Sequence, residues 1–135
     1  MDFKVFDVIA SGLAAERIRL NTIASNLANL ESYKKNGKPY KRLEPVFRAM
    51  VNEETYKSGI AKVKVEKIVQ SPYPVVKVYD PSNPLADKEG YVEKPNVNIV
   101  KEMTDLITAS RVYQANLNAL NLNRDLILKT LEMWR

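Results

Sequence analysis

From Met103 to Trp134 the chain steps in alternating threes and fours through Met103, Leu106, Ser110, Tyr113, Leu117, Leu120, Arg124, Ile127, Leu131 and Trp134. Eight of these ten positions are apolar. Such a 3.5-residue repeat predicts a helix packed along a seam. Pro95 closes the preceding segment, Asn98 is the expected N-cap, and no Gly or Pro follows. A helix over 98–134 would be about 55 Å long at 1.5 Å per residue. That exceeds an ordinary globular helix and suits a coiled coil.

The N-terminal segment carries a matching pattern. Phe6, Leu13, Leu20 and Leu27 form one row of a heptad, and Ile9, Glu16, Ile23 and Leu30 form the second. Only Glu16 breaks the apolar run, so a helix over 5–30 is expected. Ile107, Ala115, Leu122, Leu126 and Met133 make a further apolar row off the C-terminal seam. A two-helix hairpin would leave that row wet, which points to burial against further partners.

Between these segments the period changes. Ala61, Val63 and Val65 alternate with Lys62, Lys64 and Glu66, as in a half-buried strand, and Val76 and Val78 alternate with Val75, Lys77 and Tyr79. Pro45-Val46-Phe47 and Tyr91-Val92 are expected as shorter strands. Gly59, Ser71-Pro72, Asp80-Pro81-Ser82-Asn83-Pro84 and Lys88-Glu89-Gly90 mark turns. The chain therefore reads as α+β: long N- and C-terminal helices form an antiparallel coiled-coil pair, with a small β-rich insert of three or four strands over roughly 39–94. The expected units are 1–32, 33–95 and 96–135.

Composition narrows the chemistry. With no His and no Cys in 135 residues, the commonest general base, the commonest metal ligand and any disulfide framework are absent. Four glycines form no phosphate-binding or nucleophile-elbow motif. Asp80, Asn83, Asp87 and Glu89 lack calcium-loop spacing, and Pro81 and Pro84 fix the turns instead. No catalytic residue, cofactor or metal is expected. No apolar run approaches membrane-spanning length. The start, Met-Asp-Phe-Lys-Val-Phe-Asp, lacks the basic opening and apolar block of a cleavable signal.

The formal net charge of +5 is concentrated in the middle. Residues 33–95 carry 13 basic and eight acidic groups, peaking at Lys34, Lys35, Lys38, Lys41 and Arg42. Attraction to a polyanion, and hence a basic nucleic-acid-binding module, is the alternative reading. Neither helix carries a basic stripe, and tyrosines on a pleated face more often pack a sheet than stack on bases.

The helices also hold asparagines where better helix formers were available: Asn21, Asn26 and Asn29 in the first, and Asn116, Asn118, Asn121 and Asn123 in the second. Each costs up to ~0.7 kcal/mol relative to Ala. Counted from Phe6 and Met103 as a-positions, all seven flank the seam. Lys or Glu would suit a wet face better. The expectation is a second, polar packing layer made between molecules, with Ala24, Ala28, Ala115 and Ala119 allowing close approach.

Ser25-Asn26-Leu27-Ala28-Asn29, preceded by Leu20-Asn21, is similar to the N-terminal signature of bacterial flagellar axial proteins, and Tyr113-Gln114-Ala115-Asn116 to their C-terminal motif. Gly37-Lys38-Pro39-Tyr40, the stretch Asp80-Pro-Ser-Asn-Pro-Leu-Ala-Asp-Lys-Glu-Gly-Tyr-Val, and Pro95-Asn96-Val97 resemble the proximal-rod members. The resemblance covers nearly the whole chain. It implies a structural subunit without catalysis, exported unfolded by the flagellar type III apparatus and assembled in the periplasm with other rod proteins and copies of itself. It also implies terminal helices lining a tube with the insert outside. Neither nucleic acid nor membrane insertion is expected. The residues expected at the assembly interface are Leu13, Leu20, Asn21, Asn26, Leu27, Asn29, Met103, Leu106, Tyr113, Asn116, Leu117, Leu120, Asn121, Ile127 and Leu131.

Overall fold

A computed structural model describes residues 3–135. In chain order it contains α1 (Lys4–Ala28), β1 (Leu43–Met50), α2 (Glu53–Ser58), β2 (Lys62–Gln70), β3 (Val75–Tyr79), β4 (Tyr91–Pro95) and α3 (Ile99–Met133). The two long helices agree with the heptad reading to within two residues at each end. Asn98 caps α3 as expected, its side chain accepting from the Lys101 amide at 3.1 Å.

The long helices pack antiparallel. Ala28 and Ile99 line one groove; Thr22, Ile23 and Asn26 share another with Glu102 and Asp105; Gly12 faces Asn116. From Gly12 back to Lys4 is eight residues, about 12 Å of helix. The same distance along α3 from Asn116 reaches Arg124. The final turns of α3 therefore project past the start of α1, and every residue after Ile127 is exposed.

The insert holds four strands, within the three or four expected, arranged as two separate two-stranded sheets, β1–β2 and β3–β4, both antiparallel. β1 is longer than the expected Pro45–Phe47 segment, and a bulge between Val46 and Phe47 accommodates the break in its pairing. A two-stranded hairpin is marginal in water, so each sheet leans on other elements. The Val63 amide donates to Ser11 Oγ at 3.1 Å, fixing β2 against α1, and Arg19 lies 4.3 Å over the Phe47 ring. β3–β4 is held by Asn96, whose side chain donates to Tyr73 O at 2.8 Å, and by the Tyr33 hydroxyl, which donates to Glu93 O at 3.1 Å.

The helix α2 was not expected. Its signal was present: Asn52 accepts from the Thr55 amide and Thr55 Oγ1 accepts from the Asn52 amide, a reciprocal capping box, and Gly59 takes positive φ at its end. A β-period reading of 39–94 passes over one short helical turn.

The turn from Asp80 to Gly90 is built from side chain to backbone bonds. Asn83 Oδ1 accepts from the Leu85 amide, and Asp87 Oδ1 accepts from the amides of Glu89 and Tyr91. The bond from Tyr91 holds the Asp87 carboxyl below the usual carboxylate range, with a further contribution from Glu89. Gly90 has φ +86°, and a Cβ there would lie 2.9 Å from the Tyr79 ring, which packs edge-on against Tyr91. Gly90→Ala should cost about 1–3 kcal/mol through this backbone conformation, read as a lower urea midpoint of the purified chain.

Candidate assembly interface

The α1–α3 seam is shifted from the expected one on α3. The positions turned inward are Glu102, Leu106, Ala109, Tyr113, Asn116, Leu120, Asn123 and Ile127. Leu106, Tyr113, Leu120 and Ile127 were expected there. The intervening row, Glu102, Ala109, Asn116 and Asn123, is one residue earlier than the expected Met103, Ser110, Leu117 and Arg124, and the seam ends before Leu131. Met103 is 50% exposed and Leu131 53%, while Glu102 and Ala109 are buried; Leu117 is half-buried beside the seam. Apolarity alone misassigns this row because small and polar side chains fill it. Ala109 brings the helix axes close, Asn116 Nδ2 sits 3.3 Å from where a Gly12 Cβ would be, and Glu102 is held by a cation.

Glu102 is 1% exposed, and its Oε1 accepts from Arg42 Nε at 2.6 Å. Arg42 also pairs with Glu44 and lies 3.5 Å from Ser71 Oγ. Burial pushes the Arg42 guanidinium down, but hydrogen bonds to Glu102 and Glu44, with their charges, outweigh it and raise it above its ordinary value. Arg42 therefore does not belong to a solvated basic loop with its neighbours. Lys34, Lys35, Lys38 and Lys41 are exposed, and Arg42 turns inward to join the start of β1 to the first turn of α3. Sequence reasoning counted it only as charge.

The asparagines divide into distinct roles. Asn26 is 1% exposed and its carboxamide is occupied within its own chain. Its Oδ1 accepts from the Leu43 amide at 3.0 Å and the Tyr40 hydroxyl at 2.8 Å, and its Nδ2 donates to Leu43 O at 2.9 Å. Through these bonds Asn26 fastens α1 to the entry of β1. Asn29 ends α1, its Nδ2 donating to Ser25 O at 2.7 Å. Asn116 and Asn123 lie on the seam and do not flank it, and Asn123 Nδ2 is buried with no partner among the described residues. Asn21, Asn118 and Asn121 face outward.

Leu13, Leu20 and Leu27 are half-buried on α1. Glu16, which breaks the apolar row, is buried all the same. Its Oε1 lies 3.3 Å from Arg19 Nη1, while its Oε2 has no partner among the described residues. On α3 the second apolar row is open. Ile107, Leu122, Leu126 and Met133 are exposed, and Ala115 and Ala119 lie among them. Ala115, Ala119, Leu122, Leu126 and Met133 keep a three-and-four spacing broken only at Lys129. The helix thus presents two seams, one covered by α1 and one uncovered. Among the described residues no His/Cys/Asp/Glu group has metal-holding geometry, and no helix is long and apolar enough to cross a membrane.

Comparison with known proteins identifies the lineage of these elements. The family model described as flagella basal body rod protein matches residues 6–31, which take in most of α1 and the three residues after it. The model described as flagellar basal body rod FlgEFG protein C-terminal matches residues 88–133, from β4 through α3. Among curated relatives, the flagellar basal-body rod protein FlgC of Aquifex aeolicus is 48% identical over 98% of this chain and 97% of its own. The FlgC proteins of Salmonella typhimurium and Bacillus subtilis are 44% and 39% identical; they cover 96% and 98% of this chain, and the alignments span 95% and 98% of those proteins. With such identity along almost its whole length, the chain belongs to the FlgC family of flagellar basal-body rod proteins.

Proposed function

We propose that the chain is a structural subunit of the flagellar basal-body rod and that it works by packing its terminal helices against those of neighbouring subunits. The observation that carries this reading is the uncovered second seam on α3. Leu122 is 62% exposed and Leu126 55%, a row of large apolar side chains at coiled-coil spacing that a lone molecule leaves in water. The proteins it resembles are named as rod components, and a rod needs lateral contacts between subunits beyond each internal hairpin. The work is mechanical: torque passes through packed helices, and no reacting group is required.

The finer reading is that copies of this chain and other rod proteins assemble in the periplasm after export, unfolded, by the flagellar type III apparatus. The marginal two-stranded sheets and lack of cysteines suit a chain that unfolds for passage and refolds outside. The nucleic-acid reading loses ground because Arg42 is turned inward, leaving four lysines on a turn.

Leu122→Asp with Leu126→Asp tests the proposal. Both sites are exposed, so the purified chain should keep the helical signal and urea midpoint of the unsubstituted protein. Cells carrying the pair should lose swimming, since each charge would be buried unpaired at a subunit contact. Normal swimming would show that this face meets only solvent.

A further inference from the structure

The turn between α1 and β1 holds the chain's one Asn-Gly pair, Asn36-Gly37. Backbone pairing brackets it. Tyr33 and Pro39 form an isolated antiparallel bridge, and the Lys34 amide donates to Lys38 O at 2.8 Å. The Gly37 amide donates to Lys34 O at 2.9 Å, closing the turn, and Gly37 itself has φ +79°. A short hairpin loop of this kind ends on a left-handed residue, a conformation that glycine takes without penalty. The fold therefore puts a glycine immediately after Asn36. Every other asparagine precedes a residue that carries a side chain.

Asn36 is exposed, and its Oδ1 accepts from the Lys38 amide at 3.1 Å. This bond turns the carboxamide toward the peptides that follow it. It also polarises the side-chain carbonyl and supplies a donor for the oxyanion that forms when Cγ is attacked. Lys35 and Lys38 flank the pair and are exposed, so their ammonium charges favour an anionic transition state. With no Cβ at position 37, nothing crowds the Gly37 nitrogen as it closes on Cγ.

We propose that Asn36 is a site of spontaneous modification, at which the folded turn deamidates through a cyclic imide. Hydroxide removes the Gly37 amide proton. The nitrogen then forms a bond to Asn36 Cγ, the Cγ–Nδ2 bond breaks, and ammonia leaves with a proton from water, which regenerates the hydroxide. Water next adds to one of the two imide carbonyls and breaks its bond to nitrogen, leaving aspartate or isoaspartate at position 36. Before the attack the Gly37 amide must leave Lys34 O, an opening confined to an exposed loop. Either product puts a carboxylate among Lys34, Lys35, Lys38 and Lys41 and lowers the net charge by one. Isoaspartate also adds a backbone carbon to the loop whose pairing delivers Tyr40 to Asn26. The chemistry is independent of the rod-subunit reading.

The test keeps the purified full chain in mildly alkaline buffer, with and without urea. Digests are mapped by mass spectrometry, and isoaspartate is counted with a carboxyl methyltransferase specific for it. In the folded chain, conversion at Asn36 should outpace that at every other asparagine, yield isoaspartate and shift the isoelectric point downward. Asn36→Gln should abolish the shift. Gly37→Ala should lose most of it; a Cβ there would lie 3.6 Å from Leu85 Cδ2, so the variant has room to fold. Conversion confined to the urea-unfolded chain, or spread evenly over the exposed asparagines, would overturn the proposal and leave the rod-subunit reading untouched.

Discussion

Asn26→Ala should lower the stability of the isolated chain by about 3 kcal/mol. The substitution looks favourable from propensity alone, since Ala is the better helix former by up to ~0.7 kcal/mol. It also removes three hydrogen bonds at a site only 1% exposed. The Leu43 amide and carbonyl would lose this partner together, and the Tyr40 hydroxyl would keep only Ser25 Oγ at 3.3 Å. Each stranded buried group costs about 1–3 kcal/mol, and partial access of water to the relaxed site keeps the sum near the low end. The measurement is the urea midpoint of the purified full chain, with an unchanged slope. Asn26→Asp should recover only part, because it keeps the acceptor but turns a carboxylate toward Leu43 O. An Asn26→Ala chain as stable as the original would mean that the carboxamide matters only between molecules. Asn21→Ala, at an exposed position, should be neutral or slightly stabilising and serves as the control.

Asn26 also shows how far the sequence could be read. The helices, their antiparallel pairing and the strands at 62–70 and 75–79 follow from periodicity, because a repeat of seven or of two leaves a regular trace. The heptad also placed Leu106, Tyr113, Leu120 and Ile127 correctly. It failed where the inward residue is not apolar. Glu102, Asn116 and Asn123 occupy the seam, and a polarity rule assigns such residues to water. Their partners are distant in sequence: Glu102 bonds across 60 residues to Arg42, and Asn26 across 17 to Leu43. Nothing local announces those pairings. The asparagines stand out in the sequence because their propensity cost demands compensation. The compensation at Asn26 is inside the chain, where a β entry had to be bolted to a helix.

The division of the insert into two sheets was hidden for a related reason. Strand alternation reports which face is buried but not which strand is the neighbour. β2 and β3 follow one another closely yet do not pair, since Ser71-Pro72-Tyr73-Pro74 takes the chain out of the first sheet, with the Ser71 amide donating to Arg42 O at 2.8 Å. Arg42 thus contributes backbone to the end of the first sheet and side chain to the start of α3. It joins the insert to α3, as Asn26 and Ser11 join it to α1.

That junction supplies the second large expected effect. Arg42→Met should destabilise the chain by about 3–5 kcal/mol, the cost of removing one partner from a buried ion pair. Glu102 would remain at a site 1% exposed, with its Oε2 already lacking a partner among the described residues and its Oε1 newly deprived of one. Lys41→Met, one residue earlier and exposed, should change stability by no more than ~0.5 kcal/mol. The decisive variant is the double one. Replacing a buried pair by apolar side chains of similar volume is often neutral, so Arg42→Met with Glu102→Leu should recover most of the loss. The recovered difference in urea unfolding gives the coupling between the two side chains directly. If the single losses simply added in the double variant, Arg42 and Glu102 would be acting separately, and the insert would be fixed to α3 by its other contacts. If the double variant is as stable as the original but cells carrying it swim poorly, the pair's role is positional. It would then set the angle at which the insert stands off the helix pair, an angle that every subunit in a rod must share.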